Sequence, residues 1–210
     1  MGQTVIVFTG GDPVDAAIAH RLPADAFVIA ADSGVEVAAR LGRRVDLAVG
    51  DFDSVHHEAL AAAVAGGATA ECHPEAKDET DLELGLVAAV DRAATDVVVV
   101  GGSGGRLDHF LANALLLASP RFASMRIEAH IGDAHLTVIR DGAELRGQPG
   151  DLVSLLALGG PAIDVRTSGL VYPLRGERLE AGSTRGVSNV FETGTANVEL
   201  TAGTLLAVQP

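Results

Sequence analysis

Asp51 and Asp53, one residue apart in "VGDFDSV", follow a short apolar run in a chain whose formal charge is already −13. On an extended segment, residues two apart point to the same side, so the pair offers hard oxygen ligands to one cation such as Mg2+. Without a cation the two carboxylates repel. An Asp-x-Asp pair also occurs in ordinary turns, in phosphatases with an aspartyl nucleophile and in nucleotide-sugar transferases, so by itself it leaves these open. A second acidic group, "KDETD" from Lys77 to Asp81, enters a segment of helical pattern. Thr80 and Glu83 form a capping box, and carboxylates suit the first turn of any helix. Capping accounts for Thr80, Asp81 and Glu83. It leaves Lys77 and Asp78, a cation and a carboxylate that could meet a phosphate and its metal.

"GGSGGRLDH", Gly101 to His109, is a third group. It lacks the Lys and hydroxyl pair of a Walker A loop, and Leu107 stands where the third glycine of a dinucleotide fingerprint belongs. A glycine-rich turn opening a helix still presents backbone N–H groups to an anion, and Arg106 can add a two-point phosphate contact. His109 reads most simply as a first-turn helix residue. The last group, "GSTRGVSNVF" from Gly182 to Phe191, is either an ordinary hairpin loop or a ligand loop. In the second case Ser188 and Asn189 would hydrogen-bond a heterocycle and Phe191 would offer a stacking face.

The elements that must position these groups are legible in the runs between them. Through about residue 120, "TVIVFTG", "AFVIAAD", "VDLAVGD" and "DVVVVGG" are continuous apolar runs, as in strands buried on both faces. Segments of helical length separate them, at about Pro13–Arg21, Val35–Leu41, His56–Ala65, Asp81–Ala93 and Asp108–Ala118. This predicts an α/β domain with a parallel sheet. Nearly every run ends in Gly or Asp, in "TGGD", "ADSG", "GDFDS" and "GGSGG", and ligands of open parallel sheets bind at those carboxyl ends. Beyond about Gly132, "AIDVRTS" and "NVELTAG" alternate apolar with polar residues, which predicts a smaller antiparallel β-sandwich. "MRIEAHIGD" fits either sheet. The boundary is set at residues 1–132 and 133–210.

Twenty-eight acidic against fifteen basic side chains argue against nucleic acid or an anionic membrane surface as partner. The lone Cys72 can form no internal disulfide and reads as a small, semi-buried filler. The start "MGQTVIVFTG" lacks the pattern of a signal peptide, and no apolar run approaches the ~18 residues of a membrane span, which reads as a cytoplasmic protein.

Together, "ADSG", "DLAVGDFDS", "KDETDLELGL", "GGSGGRLDH", "GLVYPL" and "GSTRGVSN" resemble the bacterial type of thiamine pyrophosphokinase, in order and over nearly the whole chain. The resemblance implies an N-terminal nucleotide-binding domain, a C-terminal sandwich that binds thiamine and dimerises, and a homodimer holding thiamine between the first domain of one subunit and the second of the other. It implies Asp51, Asp53 and Asp81 as the carboxylates for Mg2+ and the ATP phosphates. Gly10, Asp32, Lys77, Asp78, Thr80 and Gly104 fall to the nucleotide and its phosphates, Arg106 and Asp108 to the reacting end. Ser188, Asn189 and Phe191 fall to thiamine, with Tyr172 as a second aromatic. The chain departs from the family at Ser33 and Val35, where glycine and a small residue are common.

The reaction so implied moves a pyrophosphoryl group from ATP to the hydroxyl of thiamine, giving thiamine diphosphate and AMP, mainly by positioning and electrostatic stabilisation. Two rivals stand beside it. A phosphatase using Asp51 as nucleophile would usually carry its Asp-x-Asp after the first strand, whereas two strand-like runs precede it here. A non-catalytic nucleotide or thiamine sensor would need no complete metal site.

Overall fold

The continuous runs form a parallel sheet because both of its faces are covered. A computed structural model describes residues 2–104 and 106–210; Gly105, in the glycine-rich loop, lies outside the described residues. The chain divides into two compact units, one running to Leu116 and including Ser124–Asp133, the other comprising Leu117–Ala123 and Ala134–Pro210.

In the first unit the strands are β1 (Gln3–Thr9), β2 (Phe27–Ala31), β3 (Leu47–Gly50), β4 (Thr69–Cys72), β5 (Ala94–Val100) and β6 (Arg126–Ile131). They run in the order β6-β5-β1-β2-β3-β4, and every pairing is parallel. The chain thus winds outward from β1 through β4, then returns to the other side of β1 as β5. That reversal opens a crevice at the carboxyl ends of β1 and β5, the place where open sheets of this kind take ligands. "MRIEAHIGD" contributes β6, which pairs with β5 and so belongs to this sheet.

Four α-helices follow the expected segments closely: α1 (Gly34–Arg40), α2 (His57–Ala65), α3 (Asp81–Asp91) and α4 (Leu107–Leu117). Ile6, Phe8, Val28, Ala30 and Ala48 face Val35, Val37 and Ala38 of α1, with Leu60 and Ala63 of α2 at the margin. On the opposite face Gly85 of α3 sits against Val7, Ile29 and Ala31. The helix expected over Pro13–Arg21 is instead a 3-10 turn at Ala16–His20, capped by Asp15. Pro23 biases the residue before it away from helical geometry, which closes the segment early. Cys72 corrects another expectation: it is exposed, because β4 is the sheet's edge and all four of its residues are exposed.

The second unit holds two antiparallel sheets. One has the order β12-β9-β14-β7, from β7 (Ala134–Ile139), β9 (Leu152–Ala157), β12 (Asn189–Val190) and β14 (Leu205–Gln209). The other has the order β11-β10-β13-β8, from β8 (Gly142–Arg146), β10 (Ala162–Ser168), β11 (Arg175–Leu179) and β13 (Thr195–Glu199). Ile139, Val153, Leu155 and Leu205 of the first share one core with Leu145, Val165, Ala196 and Val198 of the second, which makes this unit a sandwich. No helix of the described residues is long and apolar enough to cross a membrane.

One close approach fixes the start of α1 beside the site. A Cβ on Gly34 would lie 2.1 Å from the backbone oxygen of Phe8, an atom that cannot move without distorting β1. We therefore expect Gly34→Ala to destabilise the protein by about 1–3 kcal/mol, the usual cost of overpacking. Chemical denaturation measures this, and an unchanged midpoint would contradict the packing described.

Candidate active site

The acidic pair does not sit on an extended strand. β3 ends at Gly50, and Phe52 adopts φ 60°, a left-handed conformation unusual for a bulky side chain. This turn, rather than strand alternation, brings the aspartates together, and the N–H of Asp53 donates to Asp51 Oδ1 at 3.3 Å. Asp32, just past β2, also has positive φ, at 46°, and its N–H donates to Val49 O at 2.8 Å, which ties the ends of β2 and β3. Strained backbone at both places is the kind of cost that persists where a site demands it.

The result is a cluster in which Asp32, Asp51 and Asp53 each bring an oxygen within 4.8 Å of the others. Asp32 is buried, and its Oδ1 has no hydrogen-bond partner. Burial pushes its carboxyl above the ordinary range, and the charges of Asp81, Asp53 and Asp51 push the same way, against a backbone hydrogen bond at Ser33. A buried, unpartnered carboxylate oxygen facing two further carboxylates is a donor set suited to a hard divalent cation. Of the expected set of Asp51, Asp53 and Asp81, the first two lie in this cluster with Asp32, and Asp81 lies near enough for its charge to act on Asp32. Asp81 Oδ1 is 3.0 Å from the ammonium of Lys77, without the alignment of a hydrogen bond.

Lys77 also donates to Asp51 Oδ2. Burial alone pushes the Lys77 ammonium down, but the Asp51 and Asp81 carboxylates beside it outweigh this and the net direction is up. The Lys77 bond holds the Asp51 carboxyl below the usual range. Thr80 caps α3 as expected, its hydroxyl accepting from the N–H of Glu83 at 3.3 Å. Lys77, Asp78, Thr80 and Asp81 line a cavity of about 400 Å³ with Thr9, His109 and Asn113. An adjacent cavity of about 330 Å³ shares Thr9, Asp81, His109 and Asn113 and reaches Gly10, Asp32, Gly104 and Arg106. These two cavities form one cleft at the crevice between β1 and β5. There the loops lie backbone against backbone, with Asp12 N–H donating to Ser103 O at 2.7 Å and Gly102 N–H to Gly10 O at 2.8 Å.

Arg106 is engaged by Asp108 through two hydrogen bonds, of 3.2 and 2.6 Å. The guanidinium holds the Asp108 carboxyl down to about 2. Arg106 lines the cleft and Asp108 does not, so Asp108 orients Arg106 rather than facing the cavity. Asn113, one turn beyond His109 on α4, went unrecognised in the sequence. Its spacing of four from His109 is the signal that could have found it.

In the second unit, Ser188, Asn189 and Tyr172 line a cavity of about 460 Å³. Phe191 does not: it is 1 % exposed in the sandwich core, and its ring comes within 3.0 Å of where a Cβ on Gly147 would lie. The stacking face expected of Phe191 is therefore turned inward, and Tyr172, 65 % exposed, is the aromatic at the cavity. Asn189 is buried, and its amide is largely committed to structure. Oδ1 accepts the N–H groups of Tyr172 and Val190 at 3.1 and 2.9 Å, and Nδ2 donates to Tyr172 O at 2.8 Å. Asn189 thus sets the backbone of Tyr172, and Ser188, held at φ 58°, anchors its own N–H on Ser154 Oγ at 3.1 Å.

A carboxylate cluster and a polar cleft at the switch point of a parallel sheet form an arrangement that could hold a cation with a polyphosphate. The family comparisons specify which. The model for "Thiamin pyrophosphokinase, catalytic domain" matches residues 18–129 and that for "Thiamin pyrophosphokinase, vitamin B1 binding domain" matches 142–205. The chain belongs to the thiamin pyrophosphokinase family, and thiamine pyrophosphokinase activity goes with that membership. It is 24 % identical over 164 residues to the thiamine pyrophosphokinase of Bacillus subtilis, covering 77 % of each chain. The crystal structure of the Bacillus subtilis enzyme has the same fold, with a TM-score of 0.85 at 22 % identity over 99 % of this chain and 98 % of that one. That from Geobacillus thermodenitrificans gives 0.82 at 25 % identity over 99 % and 97 %. Yeast thiamin pyrophosphokinase shares the fold at 0.73 and 13 % identity over 99 % and 86 %.

The raised carboxyl of Asp32 has a testable consequence. With the folded value above the unfolded one, stability falls as pH rises from the unfolded value to the folded one, and the ionised Asp32 costs stability above that window. Asp32→Asn is expected to raise the melting temperature of the metal-free protein at pH 7 while weakening Mg2+ binding at least tenfold. A lower melting temperature, or undiminished Mg2+ affinity, would contradict the role given to Asp32.

Proposed function

We propose that this protein is a Mg2+-dependent thiamine pyrophosphokinase that uses ATP as donor, releases AMP and thiamine diphosphate, and works in the cytoplasm as a homodimer. The observation that carries the reading is the convergence of Asp32, Asp51 and Asp53 beside the Lys77–Asp81 cavity, a metal seat next to a polyphosphate cleft in a chain of this family.

Asp32, Asp51 and Asp53 would hold the Mg2+, which supplies neutralisation of phosphate oxygens and of the charge that grows on them. Asp81 and Asp78 border the phosphates, with Thr80 fixing the start of α3. Gly10 and Gly104 let the loops that line the cleft pack closely: a Cβ on Gly10 would meet Ser33 Oγ at 2.1 Å, and one on Gly104 the Asp12 carboxylate at 2.3 Å. Arg106, oriented by Asp108, offers its guanidinium to the transferring group. In the reaction the hydroxyl oxygen of thiamine bonds to the β-phosphorus, the bond from that phosphorus to the oxygen of the departing AMP breaks, and the hydroxyl proton is released. The depressed carboxyl of Asp108 makes it a poor acceptor for that proton.

Thiamine falls to the second unit's cavity, where the ring of Tyr172 suits the cationic thiazolium and Ser188 and the remaining Asn189 N–H supply polar contacts. As the resemblance implies, the sandwich of one protomer would meet the nucleotide domain of its partner. Leu107, Leu111 and Leu115, at four-residue spacing along α4 and 70, 51 and 58 % exposed, form an apolar stripe of the kind a second copy covers.

Steady-state kinetics with ATP, Mg2+ and thiamine test the reading. Asp53→Asn keeps shape but loses charge, and is expected to lower kcat at least a hundredfold at saturating Mg2+; near-normal turnover would remove Asp53 from the metal seat. Tyr172→Ala is expected to raise the KM for thiamine about tenfold and leave that for ATP within twofold. Equal effects on both substrates would contradict the assignment of this cavity.

A further inference from the structure

Asp32, Asp51, Asp53 and Asp81 crowd one end of the sheet, and among the described residues Lys77 is the one basic side chain paired with any of them. Its position is specific. The ammonium bridges Asp51, at the end of β3, and Asp81, at the start of α3, and the Lys77 side chain is 10 % exposed. It also lies on the wall of the cavity assigned above to the phosphates. A single positive charge therefore sits between the carboxylates that would take the cation and the cavity that would take the phosphates.

We propose that Lys77 is a resident counter-ion: it holds the acidic cluster together in the metal-free protein, and exchanges its carboxylate partners for the nucleotide's phosphates once a divalent cation is bound. The inference rests on the metal and nucleotide reading above and adds to it a competition. Asp51 cannot serve the ammonium and a divalent cation with the same oxygen, so each charge must yield to the other. The cation brings two charges against one, and once it has neutralised the carboxylates the ammonium is better placed on an anionic phosphate. A lysine suits this exchange because its charge rides on a flexible stem and its three donors impose no fixed fork.

The exchange gives effects of opposite sign, which an ordinary structural salt bridge does not. Lys77→Met removes the competitor, so Mg2+ alone, without nucleotide, is expected to bind about tenfold more tightly than to the natural protein. The same variant lacks the phosphate's partner, so a non-hydrolysable ATP analogue at saturating Mg2+ is expected to bind about tenfold more weakly. Lys77→Arg keeps the charge and should leave the affinity for Mg2+ alone within about threefold of the natural value. Isothermal titration calorimetry reads all three affinities, and thermal melting without metal should show Lys77→Met lowered and more strongly restored by Mg2+. If Lys77→Met does not fold, Lys77→Gln carries the same comparison. Unchanged or weaker binding of Mg2+ alone to the neutral variant overturns the exchange, and so does an unchanged affinity for the analogue. These titrations need neither thiamine nor turnover. Opposite shifts in a protein that makes no thiamine diphosphate would sink the proposed reaction and keep the exchange, whereas an active enzyme without them would do the reverse.

Discussion

Like charges at close range are the constraint around which the first unit is arranged. Two full negative charges 4.8 Å apart repel by about 3 kcal/mol at an effective dielectric of about 20. Three such carboxylates and a fourth beside them repel one another unless positive charge is brought among them. The consequence falls on the group most deeply placed, since burial and its neighbours push the Asp32 carboxyl above its ordinary range. It is visible as well in the backbone, where Asp32 and Phe52 hold left-handed conformations that a fold under no other demand would relax. Stability is given up locally to keep oxygens converging on one point.

The sheet's winding makes that convergence possible. The loops after β2 and β3 are close enough to bring Asp32 to Asp51 and Asp53, while those after β1 and β5, side by side because β5 returns to the side of β1 opposite β2, line the cleft. Glycine is required where those loops touch: Gly101 has φ 108°, and a Cβ there would lie 2.1 Å from Thr9 O. In the second unit the logic is different, with hydrogen bonds rather than charge placing the functional groups. Asn189 is consumed in fixing Tyr172, so its contribution to any ligand runs chiefly through the ring it positions.

What the sequence disclosed follows from where each signal originates. Runs such as "TVIVFTG" and "DVVVVGG" are apolar throughout because both sheet faces are buried, and they became β1 and β5 with little shift in their bounds. β4, the exposed edge "TAEC", carries no such pressure and could not be read. Asp51 and Asp53 were legible as a pair, but their geometry was not, since a left-handed Phe52 leaves no mark in residue types. Asp32 was legible as a loop residue at a ligand's mouth. Its place in the carboxylate cluster depends on the register of β2 against β3, a pairing 18 residues apart at Ile29 and Leu47. Phe191 and Tyr172 exchanged places because "SNVF" has no alternation from which an inward or outward face could be told.

The central claim is that this acidic site moves a pyrophosphoryl group as one piece. An end-point assay with purified protein, Mg2+, ATP and thiamine, separating the products by chromatography, tests it most directly. The account predicts AMP and thiamine diphosphate in equal amounts, with neither formed when Mg2+ is chelated. ADP with thiamine monophosphate, or nucleotide consumption that does not depend on thiamine, would contradict it.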